Sequence, residues 1–454
     1  MEQVKGPKTP QFAQVMEWVF NPLQLMEKSA KTYGDTFKLS LVSENPMIFI
    51  SHPQAIKEIF TANPDNFDIG RGNQIIASLL GEQSLVLLDG VPHQRQRKLL
   101  TPPFHGNRMK SYGELICQVT EKVINNWQIG EPFEVRNSMQ EISLRVILQA
   151  VFGLNEGKRY EEIKQLVASV LDISGSPLKA TLVFIPFLQK DLGAWSPWGN
   201  FLRQQKRLDE LLYAEIQERR DNPDTSRQDI LSLMMAARDE QGQPMTDQEM
   251  RDELMTLLVA GHETTASGLT WAFYWIHHLP EVREKLLAEL DGVDTNQDLS
   301  AIAKLPYLNG VCAETLRIYP IALIAFPRIT KVPMEIMGRE YPAETWLTPS
   351  IYLTHHREDL YPQPKQFKPE RFIEKQYSPY EYLAFGGGNR RCIGMAFALF
   401  EMKLVLTMVL KNLDLSIVNN HQVKPTRRGG TLAPSGGKWL VVKGKRDVKV
   451  KVGV

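Results

Sequence analysis

Residues 385–394 read Phe385-Gly386-Gly387-Gly388-Asn389-Arg390-Arg391-Cys392-Ile393-Gly394, and the apolar run that follows to Leu410 is broken only by Glu401 and Lys403. A segment apolar nearly all round is an interior helix, here expected to begin near Cys392. Three consecutive glycines free the backbone ahead of it for conformations that a side chain forbids. They bring Cys392 to the positive end of a helix dipole, next to Arg390 and Arg391, and each of these neighbours favours thiolate over thiol. The stretch builds a place for a buried anionic sulfur. It lacks the Lys-Ser/Thr ending of a phosphate-binding loop and the spacing of a dinucleotide site. Cys392 has no C-x-x-C neighbour, so zinc held by four local ligands is excluded.

Upstream lies a second interior helix. Thr246 with Glu249 three residues later forms a capping box, and Pro280 sets the far limit. The helix between them runs for roughly 33 residues, or ~50 Å. Between Leu254 and Ile276 its only formally charged residue is Glu263. Thr256, Thr264, Thr265, Ser267 and Thr270 make it too polar for a membrane span, and an acid at its centre would cost ~2.5–3.5 kcal/mol on insertion. A core helix carrying one buried carboxylate remains, and such a carboxylate needs a partner or a task.

The rest of the chain is consistent with one large, mainly helical fold. It has 454 residues, 43% of them hydrophobic, and 53 Lys and Arg against 52 Asp and Glu. That balance excludes a global attraction to nucleic acid or anionic membrane. Three cysteines make no disulfide framework and point to a reducing, cytoplasmic setting. No apolar segment follows Met1 to Pro10, so neither a secretory signal nor a transmembrane anchor is expected. Asn21, Pro22 and Gly34 bound a helix over 22–33, and alternating Phe37, Leu39 and Leu41 with Met47 and Phe49 predict a hairpin. A β-rich part at about 35–60 and short sheets at about 320–350 and 411–442 complete the expectation. The predicted class is mainly α with small β-sheets, in one domain over 1–454.

Competing chemistries fail on spacing. His262-Glu263 would need a second His at the position of Ala266 to be a zinc protease, and Ser435 lacks a nucleophile elbow. His277-His278 and His355-His356 have no carboxylates arranged to organise a metal. Cys117 and Cys312 sit on apolar stripes as packing residues. A lone thiolate can ligate haem iron.

The motifs then converge. Ala260-Gly261-His262-Glu263-Thr264-Thr265, Glu314-Thr315-Leu316-Arg317, Pro369-Glu370-Arg371-Phe372 and Phe385-x-x-Gly388-x-Arg390-x-Cys392-x-Gly394 resemble, in that order, the four signature segments of the cytochrome P450 family, the haem-thiolate monooxygenases. The length resembles the soluble bacterial members without a fused reductase. The N-terminal region and the A-G-H-E-T-T segment resemble cyanobacterial members acting on lipids and terpenoids.

The resemblance implies a long central helix over haem b, with Cys392 as the axial iron ligand and Phe385 against the sulfur. His93, Arg97, Arg328 and Arg390 would meet the haem carboxylates, which guanidinium forks suit. Small Ala260 and Gly261 would leave room for dioxygen. Thr264 would bond back to the Ala260 carbonyl and pass protons, which Glu263 would replenish. Glu314 and Arg317 lie off the Leu308/Cys312/Leu316 stripe, so pattern alone leaves them in water; the resemblance instead buries them with Arg371 as a structural charge network. The implied reaction inserts one oxygen atom from O2 into a C–H bond of a hydrophobic substrate (fatty acid, alkane or terpenoid-like). Electrons would come from a ferredoxin and ferredoxin reductase, or another separate reductase, docking where Arg391, Lys98 and Arg95 offer positive charge. The pocket would draw on residues 75–80, 171–185, 257–261, 321–326 and 432–434, with Ile75, Leu79, Leu257, Ala260, Ile324 and Pro434 facing substrate. Arg71 reads as a surface cation that could also meet a fatty-acid carboxylate. Two alternatives stay open: a haem-based sensor or carrier without turnover, and a peroxide-using haem-thiolate enzyme. The acid–Thr pair disfavours the second.

Overall fold

Thr246 closes both halves of its capping box, accepting from the Glu249 N–H at 3.2 Å while its own N–H donates to Glu249 Oε2 at 2.7 Å. The helix so started spans Asp247–His278, 32 residues, and is followed by Pro280–Asp291. The computed structural model describes residues 4–41, 45–106, 108–154, 156–171, 189–193, 195–224, 226–293, 299–418, 422–428 and 430–446. Among these, helices dominate and no helix is long and apolar enough to cross a membrane.

The central helix lies between two others, and its glycines permit the approach. A Cβ on Gly261 would come within 2.8 Å of Ile147 Cδ1, on helix Val135–Phe152. A Cβ on Gly268 would stand 3.3 Å from Met402, on helix Met395–Asn412. That last helix starts three residues beyond Cys392, later than the sequence indicated. The reason is local: the Cys392 N–H donates to the Phe385 carbonyl at 2.9 Å, so Cys392 closes the glycine loop instead of opening the helix. Gly386 and Gly388 have φ of 66° and 64°, and a Cβ on Gly387 would sit 2.2 Å from the Phe60 ring. Gly386 and Gly388 are thus required by their backbone conformation and Gly387 by the close approach of Phe60.

Strands Thr36–Leu39 and Met47–Ile50 pair antiparallel, as the alternation predicts, with Phe37 opposite Phe49 and their rings stacked at 5.5 Å. Leu41 lies beyond the strand but is buried. Trp346–Pro349 adds in parallel to Met47–Ile50, then Arg328–Thr330 and Phe67–Asp68 follow antiparallel, giving a five-stranded sheet. This sheet fixes Arg328 at the start of its strand. Smaller sheets pair Met334–Ile336 with Arg339–Tyr341, Pro425–Arg428 with Thr431–Pro434, and Pro132–Phe133 with Leu440–Lys445 and Leu413–Ile417. Helix Pro22–Tyr33 ends at Gly34, φ 87°, within the predicted bounds.

Candidate active site

Of the three cysteines, Cys312 is buried, Cys117 half-buried and Cys392 exposed. The Cys392 side chain has accessible surface, yet enough protein surrounds it to desolvate its thiol. Desolvation is accordingly the largest influence on its thiol and raises its pKa, while the Gly394 N–H, Arg97 and Arg391 act in the opposite direction. The basic neighbours therefore pull as the sequence indicates, but burial outweighs them in the protein alone. A metal ion deprotonates a coordinating thiol outright, so the balance is compatible with ligation.

Basic groups converge beside this sulfur. Arg97 Nη2 donates to the Arg391 carbonyl at 2.7 Å. Arg390 donates to the Leu85 carbonyl at 2.9 Å and the Leu88 carbonyl, and pairs with Asp89 at 2.5 Å; its Nε has no partner among the described residues. Arg328, 2% exposed, lies over the Phe60 ring at 4.3 Å and, among the described residues, donates only to the carbonyls of Phe326 at 3.2 Å and Gly387 at 3.3 Å. Burial, aided by the charge of Arg390, pushes the Arg328 pKa down to about 9. His93 is buried with Nε2 unpartnered, and burial with Arg390 and Arg97 nearby lowers it to about 3. A buried cation without an anion is costly. Two orphaned nitrogens and one guanidinium without a carboxylate in the same neighbourhood call for an anionic group. A haem, with its two carboxylates, fits the residues present.

On the central helix, residues 254–258 and 265–274 are buried throughout, but Ala260 is exposed and Val259, Gly261, Glu263 and Thr264 are half-buried. One short strip of an otherwise covered helix is open. Within it Thr264 Oγ1 donates to the Ala260 carbonyl at 2.6 Å, the expected back-bond. Ser143 Oγ donates to the next carbonyl, that of Gly261, at 3.3 Å. Glu263 does not stand free: it is ion-paired with Arg136 and accepts from Gln140 Nε2 at 2.9 Å. Its neighbour His262 is buried with Nδ1 unpartnered, and burial lowers its pKa to about 4.

Glu314 and Arg317 are wholly buried, and Arg317 grips the carboxylate with two bonds of 2.6 and 2.9 Å. Arg371 reaches Glu314 Oε1 at 3.3 Å, and the Lys368 N–H donates to the same oxygen at 2.9 Å. Arg317 also donates to the carbonyls of His355 and Pro364, both at 2.8 Å. Every charge in the cluster has hydrogen-bond partners, which is what makes its burial tolerable.

The pocket residues divide. Ile75, Leu79 and Ile324 are half-buried, Leu257 and Pro434 buried, Ala260 exposed. Backbone bridges tie Ala322 to Thr431 and Ile324 to Ser350, which places 321–326 beside 431–434. Of the stretch 171–185, all but Leu171 lies outside the described residues. Arg71 is a surface cation paired with Asp68 and Glu344 at 3.0 and 2.8 Å. Arg95 is committed to Asp239 and Glu249, and Lys98 to Glu240, which leaves Arg391 as the exposed cation of that trio with no carboxylate in reach among the described residues. Arg136, Gln140, Asp89 and Glu253 were not identified from sequence. Their partners at the site, Glu263, Arg390 and Leu85, lie more than a hundred positions away, and only the Arg136/Gln140 spacing of one helical turn offered a signal. No cluster of metal-ligating side chains occurs among the described residues.

The comparisons agree with this geometry. The cytochrome P450 family profile matches residues 6–441. Cytochrome P450 135B1 of Mycobacterium tuberculosis is 34% identical over 444 residues, 98% of this chain and 92% of that protein. Cytochrome P450 138 of the same organism is 32% identical over 441 residues, 97% of this chain and 95% of that one. In fold, the chain is similar to cyanobacterial CYP120A1 with retinoic acid bound (TM-score 0.81, 23% identity, 97% of this chain and 98% of that one). It is equally similar to the cytochrome P450DA heme domain, with TM-score 0.83, 23% identity and 98% of each chain covered. With its cysteine loop, open helix strip and buried charge network in place, the chain belongs to the cytochrome P450 family, the haem-dependent monooxygenases.

Proposed function

We propose that the chain is a single-domain haem-b monooxygenase of the cytoplasm that hydroxylates a hydrophobic substrate with electrons from a separate ferredoxin and its reductase. The observation that carries the reading is the buried Arg328 guanidinium with no carboxylate among the described residues, together with the orphaned nitrogens of His93 and Arg390, beside the accessible sulfur of Cys392. When bound there, the haem iron supplies dioxygen activation and oxygen insertion.

The chain's own residues do the rest. Cys392 holds the iron, with its backbone pinned to Phe385. Arg97, Arg328, Arg390 and His93 orient the carboxylates, and Arg328 gains the anion it otherwise lacks. Thr264 bonds back to the Ala260 carbonyl on the central helix and presents its hydroxyl in the open strip, where it passes protons. Glu263 resupplies them on release from Arg136 and Gln140. Ile75, Leu79, Leu257, Ala260, Ile324 and Pro434 form an apolar wall, which supports a fatty acid, alkane or terpenoid-like substrate. Arg391 and Arg97 offer the partner a basic face on the cysteine side.

The test is Thr264→Ala with a reconstituted ferredoxin system. Reductant consumption continues while product per electron falls, with the proton-transfer share of the rate worth ~10²–10⁴-fold at most. A sensor or carrier would show no dioxygen-dependent product in the parent protein. Full product yield in the variant would remove Thr264 from the proton path.

A further inference from the structure

Glu253, on the central helix two turns before the open strip, is fully buried, and nothing in the proposed chemistry uses it. Its Oε1 accepts the Leu85 N–H at 2.7 Å, while Oε2 is buried without a partner among the described residues. The other side of Leu85 is also held: its carbonyl accepts from Arg390 Nη1 at 2.9 Å. One chain residue thus stands between an acid of the central helix and a guanidinium of the cysteine loop.

The contact is part of a longer lacing. Arg251 Nη1 donates to the Leu80 carbonyl at 3.1 Å, Asp252 Oδ2 accepts the Gln83 N–H at 2.9 Å, and Thr256 and Ser84 share a hydroxyl bond of 2.7 Å. Gly81, at φ 94°, lies so close to Asp252 that a Cβ would come within 2.1 Å of Oδ1. At its far end the segment is fixed by Arg390 on the Leu88 carbonyl and Asp89, and Asp89 Oδ2 accepts the Gly70 N–H at 2.7 Å. Residues 80–89 are therefore strapped to the central helix at one end and to the cysteine loop at the other.

We propose that Glu253 is a positioning residue for Arg390, acting through the Leu85 peptide, and so sets how firmly the chain holds its haem. The role of Arg390 rests on the haem-thiolate reading; the strap does not. Burial pushes the Glu253 carboxyl up to about 8, with Asp252 and Glu249 adding to the effect and the Leu85 N–H opposing it. The group is then mostly a neutral acid near pH 7, which glutamine copies in shape while keeping the acceptor oxygen.

Hydrogen–deuterium exchange across residues 80–89 of the full chain, with and without haem, tests the proposal together with the rate of haem release to excess apomyoglobin. Glu253→Asp, too short to reach Leu85, and Glu253→Leu should each speed exchange at the Leu85 amide and haem release, on the order of tenfold. Glu253→Gln should match the parent in both. Unchanged Leu85 exchange in Glu253→Asp would overturn the strap. Faster exchange with unchanged release would overturn the link to Arg390, as would a Glu253→Gln variant that behaves like Glu253→Leu. A parent chain that takes up no haem would overturn the Arg390 reading and this role with it, while the exchange result would still judge the strap.

Discussion

Arg328 carries a full charge into a place where, among the described residues, two carbonyl oxygens and the face of the Phe60 ring meet it but no carboxylate does, and that makes its replacement diagnostic. In the haem-free protein, Arg328→Met removes an uncompensated buried cation and should stabilise the chain by about 1–4 kcal/mol in urea unfolding. In the loaded protein the same change should weaken haem retention. A variant destabilised in both forms would mean the guanidinium serves the fold alone. The back-bond of Thr264 and the glycine loop around Cys392 were readable because they are local: each sits in a motif of ten residues or fewer. Glu263 was readable as important but not as paired, since Arg136 stands 127 positions away and no periodicity links them. The preference of Cys392 for thiolate was read from its charged neighbours, and sequence carries no measure of the burial that opposes them.

At the scale of elements, helix crossings impose their own requirements. Gly261→Ala would drive a methyl against Ile147 Cδ1 and should cost about 1–3 kcal/mol by overpacking. Ile147→Val, which removes that methyl, should recover part of the loss when the two are combined. Thermal unfolding of the single and double variants checks this, and an additive double variant would show that the two positions do not share the contact. In helix Pro306–Ile318, Glu314→Gln leaves Arg317 buried without its counter-charge, and the expected cost is ~3–5 kcal/mol. The central helix was readable at both ends from its capping box and Pro280. The burial of Glu314 and Arg317 was legible from the family resemblance but not from pattern, because an i,i+3 pair looks the same on a surface helix as inside. The cysteine helix began later than expected, because a backbone bond to Phe385 competes with the first helical turn.

Across the whole molecule, acidity should act chiefly through histidine. Burial lowers His93 to about 3, His262, His277 and His356 to about 4, and His355 well below its ordinary 6.5. Below pH 6.5 the unfolded chain binds protons that these folded rings refuse, so their contribution to stability is lost as pH falls toward the folded values. Glu253 and Glu401, both raised to about 8 by burial, act the other way: they favour the folded state below their unfolded 4.5 and lose that contribution as pH rises through 8. Five histidines outweigh two acids, at ~1.4 kcal/mol per group and pH unit. The urea midpoint of the haem-free chain should therefore be highest near pH 6.5 and fall from there to pH 5; a midpoint that rises on acidification would contradict the assignment. The mainly helical class and the hairpin were readable from periodicity. The parallel pairing of Met47–Ile50 with Trp346–Pro349 was not, since nothing local to either strand names a partner three hundred residues away.

The central claim is that Cys392 ligates haem iron as a thiolate. The most direct measurement is the difference spectrum of the reduced, haem-loaded protein on adding carbon monoxide, recorded for the parent and for Cys392→His. The account predicts a strongly red-shifted Soret band in the parent and a band at the position of histidine-ligated haem in the variant. A parent that folds and binds haem yet shows the same band as Cys392→His would contradict it.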